Sequence, residues 1–184
     1  MNDALLHRGP DAGGVFSENE RIGLGHRRLS IIDTSHQADQ PMVSNSGRWV
    51  IVFNGEIYNF REIRKELNYR FKTASDTEVI LAAVEEKGID WFLQRANGMF
   101  ALALYNKASR EMFILRDRLG IKPLYFYADK IFLSFRPKSK AFYTAVWPKR
   151  FLTKRRWMNT WPTGMCGRRI PFLKIFIRWN PAAT

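Results

Sequence analysis

The run Val50-Ile51-Val52-Phe53, passing directly into Asn54-Gly55-Glu56, constrains this chain more than any other stretch. Consecutive apolar residues rich in β-branched side chains describe a strand buried on both faces. Asn-Gly after such a run predicts that the strand ends there in a turn. Its tip would then carry a side-chain amide next to a backbone N–H. Such a pair of neutral donors can hold an oxyanion. The plainer reading of the same dipeptide is a hairpin turn without chemistry.

The flanking sequence alternates strands and helices. Gly13 to Phe16 and Ile22 to Leu29 read as short strands, Trp49 to Phe53 as the buried one. Phe60 to Leu67 reads as a helix in which Asn59 and Glu62 have capping-box spacing. Ser75-Asp76-Thr77-Glu78 opens a second helix over Thr77 to Lys87, striped by Val79, Ile80, Ala83 and Val84 and stopped by Gly88. Asp90 to Leu93 forms a short helix. Met99 to Tyr105, Glu111 to Arg116 and Lys122 to Phe126 supply three more strands. The fold class expected from this order is α+β.

No apolar run reaches membrane-spanning length. The opening Met1-Asn2-Asp3-Ala4-Leu5-Leu6 has neither the basic nor the apolar region of a signal peptide. Cys166 is the single cysteine, which excludes an internal disulfide and fits a reducing cytoplasm, the expected location. His7 and His26 lack a third ligand at metal spacing, so no metal site is expected.

Six ordered segments surround the Asn-Gly tip. Upstream stand His7-Arg8-Gly9-Pro10-Asp11, then His26-Arg27-Arg28-Leu29-Ser30-Ile31-Ile32-Asp33, then Gln40-Pro41-Met42. Downstream stand Ser75-Asp76-Thr77-Glu78, Gly98-Met99-Phe100-Ala101 and Arg116-Asp117-Arg118-Leu119-Gly120-Ile121-Lys122-Pro123-Leu124-Tyr125. In this order the set resembles the class II, N-terminal-nucleophile glutamine amidotransferase domain of glutamine-hydrolysing asparagine synthetase, over Met1 to Asp129. The resemblance implies a four-layer αββα sandwich, incomplete here because its first strand would be missing.

It also implies roles. Asn54 through its amide and Gly55 through its N–H would form the oxyanion hole. Arg28 would pair with the α-carboxylate of glutamine, a geometry suited to a guanidinium. Leu29, Ser30, Ile31 and Ile32 would line the pocket through their backbone. Asp76 would hold the α-ammonium, with Glu56 nearby. Read from the residues alone, Asp76 is a turn or capping acid and Arg28 a strand-surface charge. Asp117, between two arginines, reads as fixing a strand-end turn or a domain contact.

In the resembled family the nucleophile is a cysteine directly after the initiator methionine, with its own α-amino group as base. Residue 2 here is asparagine, and Cys166 is internal. The expectation is therefore a fragment that lacks the nucleophile and the synthetase domain and is catalytically dead. No cofactor is expected in this chain; ATP and magnesium would belong to the synthetase domain. The expected partner is glutamine, bound weakly, and intact members of the family often dimerise. Membrane is not an expected partner.

Composition breaks at Asp129. Residues 1–129 hold 17 acids and 17 Lys or Arg, whereas residues 130–184 hold 13 Lys or Arg and no acid. The whole net charge of +13 therefore sits in the tail, with four of the six tryptophans. A basic, aromatic arm that binds nucleic acid is one reading, and it gives the alternative function of a non-catalytic basic protein. A membrane-surface segment is another, though Pro137, Pro148, Pro162 and Pro171 would interrupt its helix. The third is out-of-frame translation beginning between Ala128 and Ser139. Trp and Met have single codons, so Trp157-Met158 forces Asp and Met158-Asn159 forces Glu in the shifted frame. Trp147-Pro148 and Trp161-Pro162 likewise force Ala. The tail then reads as acid-containing, helix-compatible sequence resembling the start of the synthetase domain. That reading is preferred, so nucleic acid is not the expected partner and the tail is expected to be poorly ordered.

Overall fold

The computed structural model describes residues 11–18, 22–28, 35–128, 133–136 and 173–178, the last strands as backbone only. Strands β1 (Ala12–Glu18) and β2 (Ile22–Arg28) form an antiparallel hairpin with Ala12 opposite Arg28. A 3-10 turn (His36–Ala38) leads to the two-residue strand β3 (Met42–Val43) and then to β4 (Trp49–Ile57). Helices α1 (Phe60–Lys65), α2 (Asp76–Lys87) and α3 (Ile89–Arg95) follow in succession. Strands β5 (Gly98–Asn106) and β6 (Glu111–Arg116) come next, then β7 (Tyr125–Ala128), β8 (Leu133–Arg136) and β9 (Leu173–Arg178).

The central sheet runs β3-β4-β5-β6-β9, all antiparallel, while β1–β2 and β7–β8 are separate two-stranded ladders. The sheet is apolar on both faces because alternate residues of β4 and β5 feed different cores. Ile51, Phe53, Ile57, Phe100, Leu102 and Leu104 face the helices. Val50, Val52, Ala101, Ala103 and Tyr105 pack beneath Leu24, Phe16 and Ile22 of the hairpin. The Tyr105 hydroxyl donates to the Glu18 carboxylate at 2.5 Å, fastening the hairpin to β5. Helix α2 is buried along Asp76 to Val84, and Ser75 caps it by accepting the Glu78 N–H. The fold is mixed α+β, with helices, central sheet and hairpin as its described layers.

Three sequence expectations change. Asn54-Gly55 is not a turn: β4 continues through it, paired with β5 as far as Ile57 opposite Gly98, and the chain turns only at Tyr58-Asn59. The ladder continues because Gly55 has no Cβ to push β5 away. Asn59 makes no side-chain cap bond to α1. Its amide instead donates to the Arg95 carbonyl and its carbonyl oxygen accepts the Asn97 N–H, both at 2.9 Å, tying α1 to the end of α3. The last strand before the compositional break begins at Tyr125 rather than Lys122, since Asp117 and Arg116 fold residues 117–122 into a loop. Of residues 130–184, only β8 and β9 are described; β9 pairs along β6 from Glu111 opposite Arg178 to Arg116 opposite Leu173. The remainder of that segment, with Cys166, lies outside the described residues.

Candidate functional site

The site is built on the edge of β4 that extends beyond β3. Strand β3 pairs only with Val50 and Ile51, so from Phe53 onward the outward-pointing backbone groups of β4 need other partners. Antiparallel pairing alternates which residues bond across the ladder. Phe100, opposite Gly55, points its N–H and carbonyl toward Asp117 instead of β4. Phe53, Gly55 and Ile57 therefore all point their N–H groups at the free edge.

Side chains satisfy two of the three. Phe53 donates to Gln40 Oε1 at 2.6 Å, and Ile57 donates to Asp76 Oδ2 at 3.0 Å. The Gly55 N–H, between them, has no acceptor among the described residues. Asn54 beside it is exposed, as is Glu56 two residues on, and both project to the hairpin side of the sheet. The two residues expected to form the oxyanion hole thus present one amide side chain and one uncommitted N–H at adjacent positions.

The hairpin supplies the rest. Leu24, His26 and Arg28 share the side of β2 that faces β4. Leu24 enters the core, and His26 Nε2 lies 3.0 Å from the Phe53 carbonyl. A carbonyl only accepts, so Nε2 carries the hydrogen. Burial pushes the His26 pKa down to about 4, the Phe53 hydrogen bond only partly opposing it, and Arg28 nearby adds to the fall. The ring is neutral at pH 7.

This sets a pH dependence. The unfolded chain binds a proton at His26 near pH 6.5, whereas the folded chain does not until about pH 4. Between these values the unfolded state holds more protons, so stability is complete above pH 6.5 and falls as pH drops toward 4. A loss of about 1 kcal/mol per pH unit in mid-window is expected. Urea midpoints at pH 7, 5.5 and 4.5 measure it, and His26→Gln should flatten that part of the profile. An equally steep profile in the variant would assign the acid loss elsewhere.

Arg28, at the end of β2, donates from NH1 to Asp39 Oδ1 at 2.8 Å and to the Ser35 carbonyl at 3.0 Å. It is a buried guanidinium rather than a strand-surface charge. Asp76 is buried at the first position of α2; desolvation raises its pKa, while N–H groups of Ile57, Thr77 and Asp76 itself oppose the rise. It therefore ties the start of α2 to the end of β4, whatever ligand it meets. Leu29, Ser30, Ile31 and Ile32 lie outside the described residues, as does His7.

The expected residues are joined through three that sequence reasoning gave no site role: His26, Asp39 and Gln40. Gln40 holds Phe53 by its oxygen and donates from Nε2 to Thr77 Oγ1 at 3.2 Å, next to Asp76. Asp39 reaches Arg28 from the adjacent position. One hydrogen-bonded path thus runs from Arg28 through Asp39-Gln40 to the residues flanking Gly55 and on to α2. The signal for His26 and Arg28 was present in their spacing of two on a strand. Nothing in the sequence marked Asp39.

Comparison with known proteins bears on the family of the chain. A family profile described as a glutamine amidotransferase domain matches residues 1–155, past the compositional break at Asp129. The chain is 39% identical over 166 residues to asparagine synthetase [glutamine-hydrolyzing] 2 of Bacillus subtilis, covering 89% of this chain and 22% of that protein. It is 46% identical over 132 residues to asparagine synthetase B [glutamine-hydrolyzing] of Escherichia coli, covering 71% of this chain and 23% of that one. The chain thus spans less than a quarter of either relative's length. In fold it is similar to the glutamine phosphoribosylpyrophosphate amidotransferase of B. subtilis, with a TM-score of 0.55 at 23% identity over 65% of this chain and 28% of that one. The chain belongs to the glutamine amidotransferase domain family, in the class II group related to the N-terminal domain of asparagine synthetases.

Proposed function

We propose that this chain forms the glutamine-binding part of a glutaminase domain. In the whole protein that domain would release ammonia for ATP- and magnesium-dependent amidation of aspartate. The observation that carries the reading is the Gly55 N–H, without an acceptor among the described residues, between two capped neighbours and beside the exposed amide of Asn54. In this reading glutamine places its side-chain carbonyl oxygen against those two donors. Its α-carboxylate lies on Arg28 and its α-ammonium on Asp76, a desolvated carboxylate that a cation would favour in its charged form. Donors fixed on a strand need no reorganisation as negative charge develops on the amide oxygen.

The attack itself requires a thiolate with a base. The family resemblance gives both tasks to an N-terminal cysteine, and the one cysteine of these 184 residues, Cys166, has no α-amino group. A polypeptide of these residues alone is therefore expected to bind glutamine weakly and to release no ammonia from it. Isothermal titration with L-glutamine tests the binding, and a coupled ammonia assay tests the chemistry. Arg28→Ala should weaken binding about tenfold or more, the loss expected for a charge-assisted contact. Undiminished affinity in that variant, or ammonia release above background from the parent chain, would count against the reading. The chain's likeness to asparagine synthetases favours aspartate as the acceptor in the whole protein.

A further inference from the structure

Arg28 and Asp39 differ in how they are held. The guanidinium is fixed: its side chain is 10% exposed and it ends a strand paired residue by residue to β1. Asp39 follows the 3-10 turn at the surface, where Ser35, His36 and Gln37 are exposed, and its own side chain is 33% exposed. One Asp39 oxygen accepts a hydrogen bond from Arg28 Nη1 at 2.8 Å, and the other lies 3.1 Å from Nδ1 of His36. A buried guanidinium without an anion is costly, so among the described residues this carboxylate helps to steady Arg28 when no ligand is bound.

A ligand carboxylate arriving at Arg28 meets that negative charge. Both Nη1 hydrogens are already engaged, one by Asp39 and one by the Ser35 carbonyl, and two carboxylates on one cation repel. Exchanging one carboxylate for another leaves the number of hydrogen bonds on Arg28 little changed. Binding is then governed by how readily the exposed partner moves into water.

We propose that Asp39 is a built-in stand-in for the ligand's α-carboxylate, competing with glutamine for Arg28 and lowering the affinity of the site. The proposal rests on the reading of Arg28 as the α-carboxylate contact. Asp39 is ionised at neutral pH: burial pulls its pKa up, but its hydrogen bonds to Arg28 and His36 outweigh that and hold it below the usual carboxylate value.

Isothermal titration of the full 184-residue chain with L-glutamine, and separately with glutamine α-amide, separates the alternatives. Asp39→Asn and Asp39→Ala should each tighten glutamine binding about two- to fivefold, a modest gain because the part-exposed carboxylate is screened by water, and leave α-amide binding unchanged. Two variants of different size guard against a folding defect, since a misfolded chain loses both ligands while relieved competition changes only one. If Arg28→Ala abolishes binding but both Asp39 variants bind glutamine equally or more weakly, Asp39 is an orienting partner and the competition is overturned. If Arg28→Ala binds as the parent does, or the parent does not bind, the reading of Arg28 fails and the proposal goes with it.

Discussion

Gly55→Ala is expected to destabilise the chain by about 4 kcal/mol or more, enough to leave much of it unfolded given that single domains are held by roughly 5–15 kcal/mol. A Cβ built at Gly55 lies 2.1 Å from the Met99 carbonyl oxygen, 2.6 Å from Phe100 Cα and 2.8 Å from its Cβ. Two of these atoms are backbone of the paired strand, so no rotamer change relieves the clash. β4 and β5 must separate at the point where the sheet packs Phe53, Ile57 and Phe100 against the helices. The same separation turns the Gly55 N–H away from its place between the Phe53 and Ile57 caps. Glutamine binding should therefore disappear even in conditions that keep the variant folded. Gly23→Ala is the matched control: its Cβ meets nothing within 4 Å on the outer side of β2. That variant should unfold with the parent or slightly later, because alanine restricts the unfolded chain. Urea midpoints compare the three chains, and a Gly55→Ala midpoint equal to the parent's would show that the strands do not approach as closely as described.

This glycine also shows what was legible in the sequence. Asn54-Gly55 drew attention because a strand followed by an amide and a glycine is a local pattern. It marked the wrong backbone: local turn chemistry predicted a tip, and the long-range ladder to β5 carried the strand onward. The feature that matters most to the site, which N–H lacks an acceptor among the described residues, depends on register and on Gln40 and Asp76, 15 and 21 residues away in sequence. Helix α2 was legible in both cap and stripe because Ser75, Val79, Ile80 and Val84 act within it. The burial of Leu81 and Ala82 was not, since it comes from neighbours on other elements. The capping box at Asn59 failed for the same reason: a tertiary partner, the end of α3, took the side chain that local spacing assigned to α1. Asp39 was invisible because a surface aspartate in a polar turn looks like any other until a buried arginine is found against it.

Asp117→Ala should be the second costly change, at about 4 kcal/mol, through hydrogen bonding rather than packing. Asp117 is buried, and its carboxylate accepts three backbone N–H groups: Phe100 at 3.1 Å, Ile121 at 2.9 Å and Lys122 at 3.1 Å. Its own N–H returns a bond to the Phe100 carbonyl at 2.8 Å, and its carbonyl accepts the Gly120 N–H. Removing the carboxylate orphans the buried Phe100 donor and two partly buried ones, each of which cost little while a charged acceptor served them. Asp117→Asn retains a single acceptor oxygen and should lose about half as much. The arginine before it supports the same loop, with Nε on the Lys122 carbonyl and Nη2 on that of Gly120, but a guanidinium only donates and cannot replace the acceptor that the Phe100 N–H loses. Two effects should therefore appear together in the alanine variant. Trypsin should cut at Arg118, where the following Leu119 already stands exposed, faster than in the parent. Glutamine affinity should fall as well, because Phe100 is the residue against which Gly55 is set. Accelerated cutting with unchanged affinity would confine Asp117 to its loop. Loss of both would make this buried carboxylate the support on the far side of β5 from which the oxyanion donor takes its position.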